Sequence, residues 1–353
     1  MSADMPTRAI KRRLDELYDT YTRREFVPPD PVEALYPYGD VRDREIVALI
    51  ASSLAYGRAA QIHKSVSAVL GRMAHDSSAS RHDSSASRHD PQTTTGFTTS
   101  RGVSAPLSGR GPTGAAGCET TPSPGSPRRF LERSSLESLR HAFADFRHRF
   151  TSGEELAVML FGVRRVLDRW GSLEACFAAG ISADDDTVLP ALCRFVRELT
   201  TAADGDAAPR ACGEPCPDEC PSLLPLPARG SACKRLNLFL RWMVRRDDVD
   251  PGGWDGVPPA KLIVPLDTHM HRICLTLSLT RRRHPDMRAA LEATSAFRQV
   301  APDDPVRYDF ALTRLGIRTD TDWHGFVEAC RRARARAVPS ACRRGPVLEV
   351  AQR

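Results

Sequence analysis

Apolar side chains recur at helical spacing through most of this chain and almost nowhere at the two-residue spacing of a strand. Residues 5–73 read as helical. From Arg42 to Met73 the apolar positions are Ile46, Leu49, Ile50, Leu54, Ile62, Val66 and Val69, which predicts two helices broken near Tyr56-Gly57-Arg58. Upstream, Pro28, Pro29 and Pro31 mark an extended entry, with Asp30 as a turn or cap residue. Leu136, Leu139, Phe143, Phe146 and Phe150 make one stripe, and Leu156, Met159, Leu160, Val163, Val166 and Leu167 make the next. Trp170-Gly171-Ser172-Leu173 punctuates the start that follows. Further helices are expected over 231–246, 268–279, 285–300 and 304–315, and only Leu262-Ile263-Val264 is strand-like. The predicted fold class is all-α.

Two stretches break the pattern. Over 74–129 the heptapeptide His75–Arg81 repeats at once as His82–Arg88, and Thr-, Gly-, Ser- and Pro-rich sequence follows. Such a segment buries too little apolar surface to offset its ordering entropy, so it is expected to be a disordered insertion. The second, 202–230, is a loop rich in Pro, Gly and Cys. The expected organisation is therefore one helical domain built from 1–73 and 130–330, with these two loops and an Arg-rich tail over 331–353.

Composition narrows the partners. In 353 residues there is no run of eighteen apolar residues and no apolar stretch near Met1, so neither a membrane span nor a signal peptide is expected. Ten cysteines without a regular framework suit reduced thiols, and the expected location is cytoplasmic. Cys212, Cys216 and Cys220 could ligate a metal, but their spacing matches no standard zinc knuckle; no metal and no cofactor is expected. The net charge of +6 is compatible with nucleic acid. Arginine supplies nearly all of the positive side, and the only lysines are Lys11, Lys64, Lys234 and Lys261. A lysine retained in such a chain points to a need for an amine, because Arg cannot deprotonate and act as a nucleophile.

Lys234 and Asp267 are the candidate pair for chemistry. Gly230-Ser231 suits a turn and an N-cap, which puts Lys234 in the first turn of a helix whose Leu236, Phe239, Leu240 and Met243 face the core. The positive end of the helix dipole and partial burial both favour the neutral amine that Schiff-base chemistry requires. Pro265 biases Val264 toward an extended conformation, and Asp267 is then a natural N-cap for a helix starting at Thr268. On their own, the two residues are equally consistent with a surface charge and a plain cap.

Val264-Pro-Leu-Asp-Thr-His-Met-His-Arg272 resembles the V-D-T-H-V-x-R segment of the helix–hairpin–helix DNA glycosylase superfamily, which includes endonuclease III and the 8-oxoguanine glycosylases. Gly230-Ser-Ala-Cys-Lys-Arg-Leu236 stands where that superfamily has G-V-G-x-K-x-A. The separation of Lys234 from Asp267 is longer than in endonuclease III and similar to that in archaeal 8-oxoguanine glycosylases. The hairpin glycines are reduced to Gly230, and the four-cysteine iron–sulfur cluster has no counterpart after Gly316. The chain also resembles a bacterial family of conserved proteins of unknown function placed in the superfamily. That likeness runs through Arg42–Arg58, Ser231–Val244 and Tyr308–Gly316.

The resemblance implies a two-lobed helical fold and a base-excision glycosylase/AP lyase. Its partner would be double-stranded DNA carrying a damaged base, such as an oxidised purine, or an abasic site, bound by a nucleoid-associated monomer. It implies Lys234 as nucleophile and Asp267 as the carboxylate that stabilises the developing oxocarbenium ion. Tyr56, Arg58 and Gln61 would fill the gap left by a flipped base, and Gly230, Arg235 and Arg272 would contact phosphates. Trp242 and Phe310 can stack on a base or belong to the core. Two rival readings remain. One is a non-catalytic DNA-binding protein of the same shape; the other is a metal-dependent hydrolase using Asp267, His269 and His271.

Overall fold

The protein was analysed as a computed structural model, which describes residues 8–79, 125–200, 223–317 and 322–337. Helix α1 (Arg8–Tyr21) leads to α2 (Val41–Ser53) and α3 (Ala59–Ala79). Asp40 caps α2 through the Arg42 N–H at 2.8 Å. The break expected near Tyr56 lies between α2 and α3, where Gly57 adopts φ 102. Helices α4 (Pro127–Arg133) and α5 (Leu136–Ala142) follow. Of the expected insertion, residues 80–124 lie outside the described residues, while α3 runs into its start and α4 begins before its end.

The stripe from Leu136 to Phe150 is not one helix. Helix α5 ends at Ala142, and a hairpin follows, with β1 (Arg147–His148) paired antiparallel to β2 (Thr151–Ser152). Leu139, Phe143 and Phe146 are buried as the stripe predicts, but Phe150 sits in the hairpin turn, 80% exposed. Local chemistry explains the stop. Ser152 and Glu155 form a capping box that starts α6 (Gly153–Trp170), so the chain must turn just before it. These are the strands among the described residues; Leu262-Ile263-Val264 is extended and buried but belongs to no sheet.

Gly171, at φ 75, ends α6 with its N–H on Leu167 O at 2.8 Å. Helices α7 (Leu173–Ala178) and α8 (Leu189–Thr200) then pack on α6. The buried Glu45 carboxylate accepts the Leu173 and Glu174 N–H groups at the start of α7 and the Trp254 indole N–H. Gly162 lies mid-helix, where glycine costs about 1 kcal/mol relative to alanine. The α6–α8 crossing requires it, since a Cβ there would stand 2.0 Å from Leu199 O. Gly162→Ala is expected to destabilise the fold by roughly 1–3 kcal/mol through overpacking, read as a lower midpoint in denaturant.

The remaining helices are α9 (Lys234–Val244), α10 (Thr268–Thr276), α11 (Met287–Arg298), α12 (Asp309–Ile317) and α13 (Trp323–Ala337). Each of α9 to α12 starts or ends a few residues inside the range expected from periodicity. Asp286, not Pro285, opens α11 by capping Ala289 N at 2.7 Å. The segment 304–308 forms turns before α12. Buried apolar side chains form one continuous cluster from Ile10 on α1 to Leu315 on α12 and Cys330 on α13. Trp242 and Phe310, at 0% and 2% exposure, belong to it and present no face to a ligand. The mostly helical architecture agrees with the all-α expectation. No helix among the described residues is long and apolar enough to cross a membrane.

Candidate active site at the starts of two helices

A short 3₁₀ turn over Pro227–Arg229 is closed by Gly230 at φ 84, and Met287 N donates to Gly230 O at 2.9 Å. This ties the turn to the start of α11. Ser231 is not the cap expected for α9. It bridges to Asp286, and its Oγ accepts the Cys233 N–H at 3.3 Å, which delays the helix by two residues. Cys233 occupies the cap position in a left-handed conformation, φ 46, with no side-chain cap bond. Lys234 is therefore the first residue of α9, and Cys233 gives that helix no side-chain cap.

Asp267 reaches the same place from a different direction. Leu262, Ile263, Val264 and Leu266 are almost fully buried, and Val264 N is held by Thr294 Oγ1 at 3.0 Å. This anchored segment delivers Asp267 to the start of α10. Its Oδ1 accepts the Met270 N–H at 2.7 Å, the expected cap, while Oδ2 lies 3.0 Å from Lys234 Nζ. The lysine and aspartate side chains are 34% and 36% exposed, enough for solvent or a ligand to reach them. Burial raises the Asp267 pKa, but the Lys234 charge, the Met270 N–H and His269 outweigh it and hold the carboxyl below its usual range. A depressed carboxyl contributes stability that is present above the unfolded value and lost as pH falls through the folded one. Asp267→Asn keeps an oxygen for Met270 and is expected to change stability by under about 1 kcal/mol, whereas Asp267→Ala loses the cap at about 1 kcal/mol. Thermal melts of the two variants at neutral pH distinguish these outcomes.

Asp309, quoted in the sequence only as part of Tyr308–Gly316, proves to be a further charged member of this region. It is buried at the start of α12 and paired with Arg241. Burial pushes its pKa up to about 6 against the attraction of Arg241, and both Asp267 and Lys234 act on it electrostatically. The signal available was a carboxylate between two aromatic residues at a helix start. Because its folded pKa is raised, its contribution to stability is present below the ordinary value and lost as pH rises to about 6. The melting temperature of wild type minus that of Asp309→Asn is expected to fall between pH 4 and 7.

The other expected site residues divide. Arg58 and Gln61 are exposed at the start of α3, and Arg272 is exposed on α10. Tyr56 is half-buried and fully engaged. Its hydroxyl donates to His148 O at 2.8 Å and lies 2.6 Å from Thr151 Oγ1, and its ring meets the His148 ring edge-on. Arg235 turns inward, donating to Ser53 O at 2.7 Å with its guanidinium 5.1 Å from the centre of the Tyr56 ring. Tyr56 and Arg235 are both part-buried and held by contacts within the protein. The two imidazoles of the alternative metal site also diverge. His271 Nε2 is bonded to Arg282 O at 2.8 Å, while the His269 ring fits against Gly316, where a Cβ would come within 2.4 Å of Nε2. On a helix, positions two apart face different neighbours. Among the described residues, no three His, Cys, Asp or Glu side chains could share a metal ion. Cys212, Cys216 and Cys220 lie outside the described residues.

A family model described as a protein of unknown function (DUF2400) matches residues 30–102 and 120–318. The chain belongs to this family. The match takes in Lys234, Asp267 and Asp309, together with Tyr56, Arg58, Gln61, Gly230, Arg235 and Arg272. Helices α1 and α13 lie outside the DUF2400 match. No curated protein and no solved structure matches the chain.

Proposed function

We propose that this protein is a DNA glycosylase/AP lyase of base-excision repair, with a two-lobed helix–hairpin–helix glycosylase-like fold. It acts as a nucleoid-associated monomer on double-stranded DNA bearing a damaged base, such as an oxidised purine, or an abasic site. One observation carries the reading. Two residues far apart in sequence, each at the first turn of its own helix, meet at 3.0 Å in a partly open position. One is an amine and the other a carboxylate, the pair needed to open and capture a glycosidic bond.

The reaction runs as follows. The C1′–N bond breaks with its electron pair on the departing base, which takes a proton from the Lys234 ammonium. The Asp267 carboxylate, already charged, stabilises the oxocarbenium ion left at C1′. The freed amine adds to C1′ and gives a proton to O4′ as the C1′–O4′ bond opens to a Schiff base; water then takes a C2′ proton, and the 3′-phosphate leaves with the electron pair of the C3′–O bond. The start of α9, which Cys233 leaves without a side-chain cap, turns the positive end of the helix toward a backbone phosphate beside Lys234. Gly230 gives the preceding turn its left-handed bend, and exposed Arg272 stands ready for a second phosphate.

A second reading draws on the same contacts. The Asp267 cap and its ion pair are also structural duties, which suits a DNA-binding protein without chemistry. Borohydride trapping on duplexes carrying an abasic site, 8-oxoguanine, uracil or thymine glycol separates the two. The proposal expects a covalent adduct on at least one of these. Binding without adduct or base release across the panel would establish the second reading in its place.

A further inference from the structure

Phe150 is the most exposed large apolar side chain among the described residues, and its surroundings hold it there. It occupies the second position of a two-residue hairpin turn; the first, Arg149, adopts φ 52. A positive φ at that position is what a tight hairpin turn needs and what a residue with a Cβ resists. The conformation is therefore held by the rest of the hairpin. Tyr56 is bonded to both strands, and buried His148 donates from Nε2 to Tyr56 O at 3.1 Å while Nδ1 accepts from Ser65 Oγ at 2.8 Å. Burial lowers the His148 pKa, which keeps the ring neutral and these two bonds in place. The Arg149 side chain lies across Gly57, where a Cβ would come within 2.8 Å of Cδ. An aromatic ring is thus fixed in water at the tip of a pinned hairpin.

The tip itself carries only positive charge, and the carboxylates at the base of the hairpin, Asp145 and Glu154, are paired with Arg72 and Arg140. Arg147 and Arg149 flank the tip and are exposed, and the Arg149 guanidinium is 5.5 Å from the centre of the Phe150 ring. The adjoining start of α3 presents Arg58, Gln61 and Lys64, and the sequence has no Asp or Glu between Glu45 and Asp76. A bare aromatic ring within a cluster of cations fits a polyanion that also offers flat apolar faces, which is a nucleic acid. The tip is also linked to the candidate active site. Tyr56 holds the hairpin, Arg235 lies over Tyr56, and Lys234 is the next residue.

We propose that the β1–β2 hairpin is a DNA wedge, in which Phe150 enters the base stack of a duplex at an unpaired or abasic position. Arg147, Arg149 and Arg58 hold the phosphates on either side. The wedge rests on the DNA reading above and transfers the stacking role from Tyr56 to Phe150. Insertion unstacks one step and bends the duplex, and it is easiest where pairing is already lost.

The test uses the full chain and a duplex with 2-aminopurine next to a tetrahydrofuran abasic analogue. Wild type is expected to change the 2-aminopurine fluorescence on binding. Phe150→Ala is expected to abolish that change and weaken binding about ten- to a hundredfold, with an unchanged thermal melt. Phe150→Trp should restore both. Arg149→Ala is expected to lower the slope of log affinity against log salt by about one phosphate contact. Equal affinity and equal fluorescence for Phe150→Ala and wild type would overturn the wedge, as would wild type that binds no duplex. Adduct formation with Phe150→Ala indistinguishable from wild type in binding would sink the wedge alone. A Phe150-dependent fluorescence change without any borohydride adduct would keep the wedge and remove the glycosylase reading.

Discussion

Lys234→Gln is expected to eliminate the borohydride-trapped adduct and to slow base release by at least about a thousandfold, as loss of a nucleophile does elsewhere. The fold should hardly notice. The side chain is 34% exposed and, among the described residues, its only ion pair is with Asp267. Partly exposed pairs of this kind contribute about 1 kcal/mol or less. Lys234→Arg sharpens the result, since it preserves the charge opposite Asp267 but supplies no amine able to form a Schiff base. Both variants are expected to bind duplex DNA and to form no adduct. Adduct formed by Lys234→Arg would place the nucleophile elsewhere.

Asp250→Ala carries the largest expected effect on stability. Its carboxylate is fully buried between Arg241 on α9 and Arg245 just past the end of that helix, which are themselves 3% and 5% exposed. Arg245 also pairs with Asp247 and Asp304, each at 2.9 Å, and Arg241 with Asp309. Removing the central anion leaves two guanidinium groups short of a partner in a place water does not reach. Breaking a buried pair in this way costs about 3–5 kcal/mol. For a domain of this size that is a fall in melting temperature of roughly 6–20 °C. The network also joins α9, which begins at Lys234, to α12, which packs on the Asp267 helix α10. The variant is therefore expected to lose adduct formation at temperatures where it is still folded. A melting temperature within 2 °C of wild type, read by calorimetry, would contradict this view of the cluster.

The sequence carried the helices well where one face is buried throughout. The apolar positions of α6 recur every three or four residues and lie in the core, whereas α2 is buried on every side from Glu45 to Ser53. Periodicity failed at Phe150, whose spacing fits a helix although the Ser152–Glu155 capping box requires a turn before it. The Lys234–Asp267 pair was legible as two helix starts, because Pro265 and the capping aspartate leave local marks. Their meeting at 3.0 Å was not, since it depends on the buried segment 262–266 and on the network below α9. Arg235 and Tyr56 look like surface residues in sequence. Each is drawn inward by a partner far along the chain, Ser53 for the arginine and His148 with Thr151 for the tyrosine. No local pattern encodes such contacts.

The most direct measurement is peptide mapping of the borohydride-reduced adduct by mass spectrometry. Only four lysines are present, so assignment is unambiguous. The account predicts the reduced sugar fragment on Lys234 and on none of Lys11, Lys64 or Lys261. A fragment on another amine, or no fragment from DNA that the protein demonstrably binds, would contradict it.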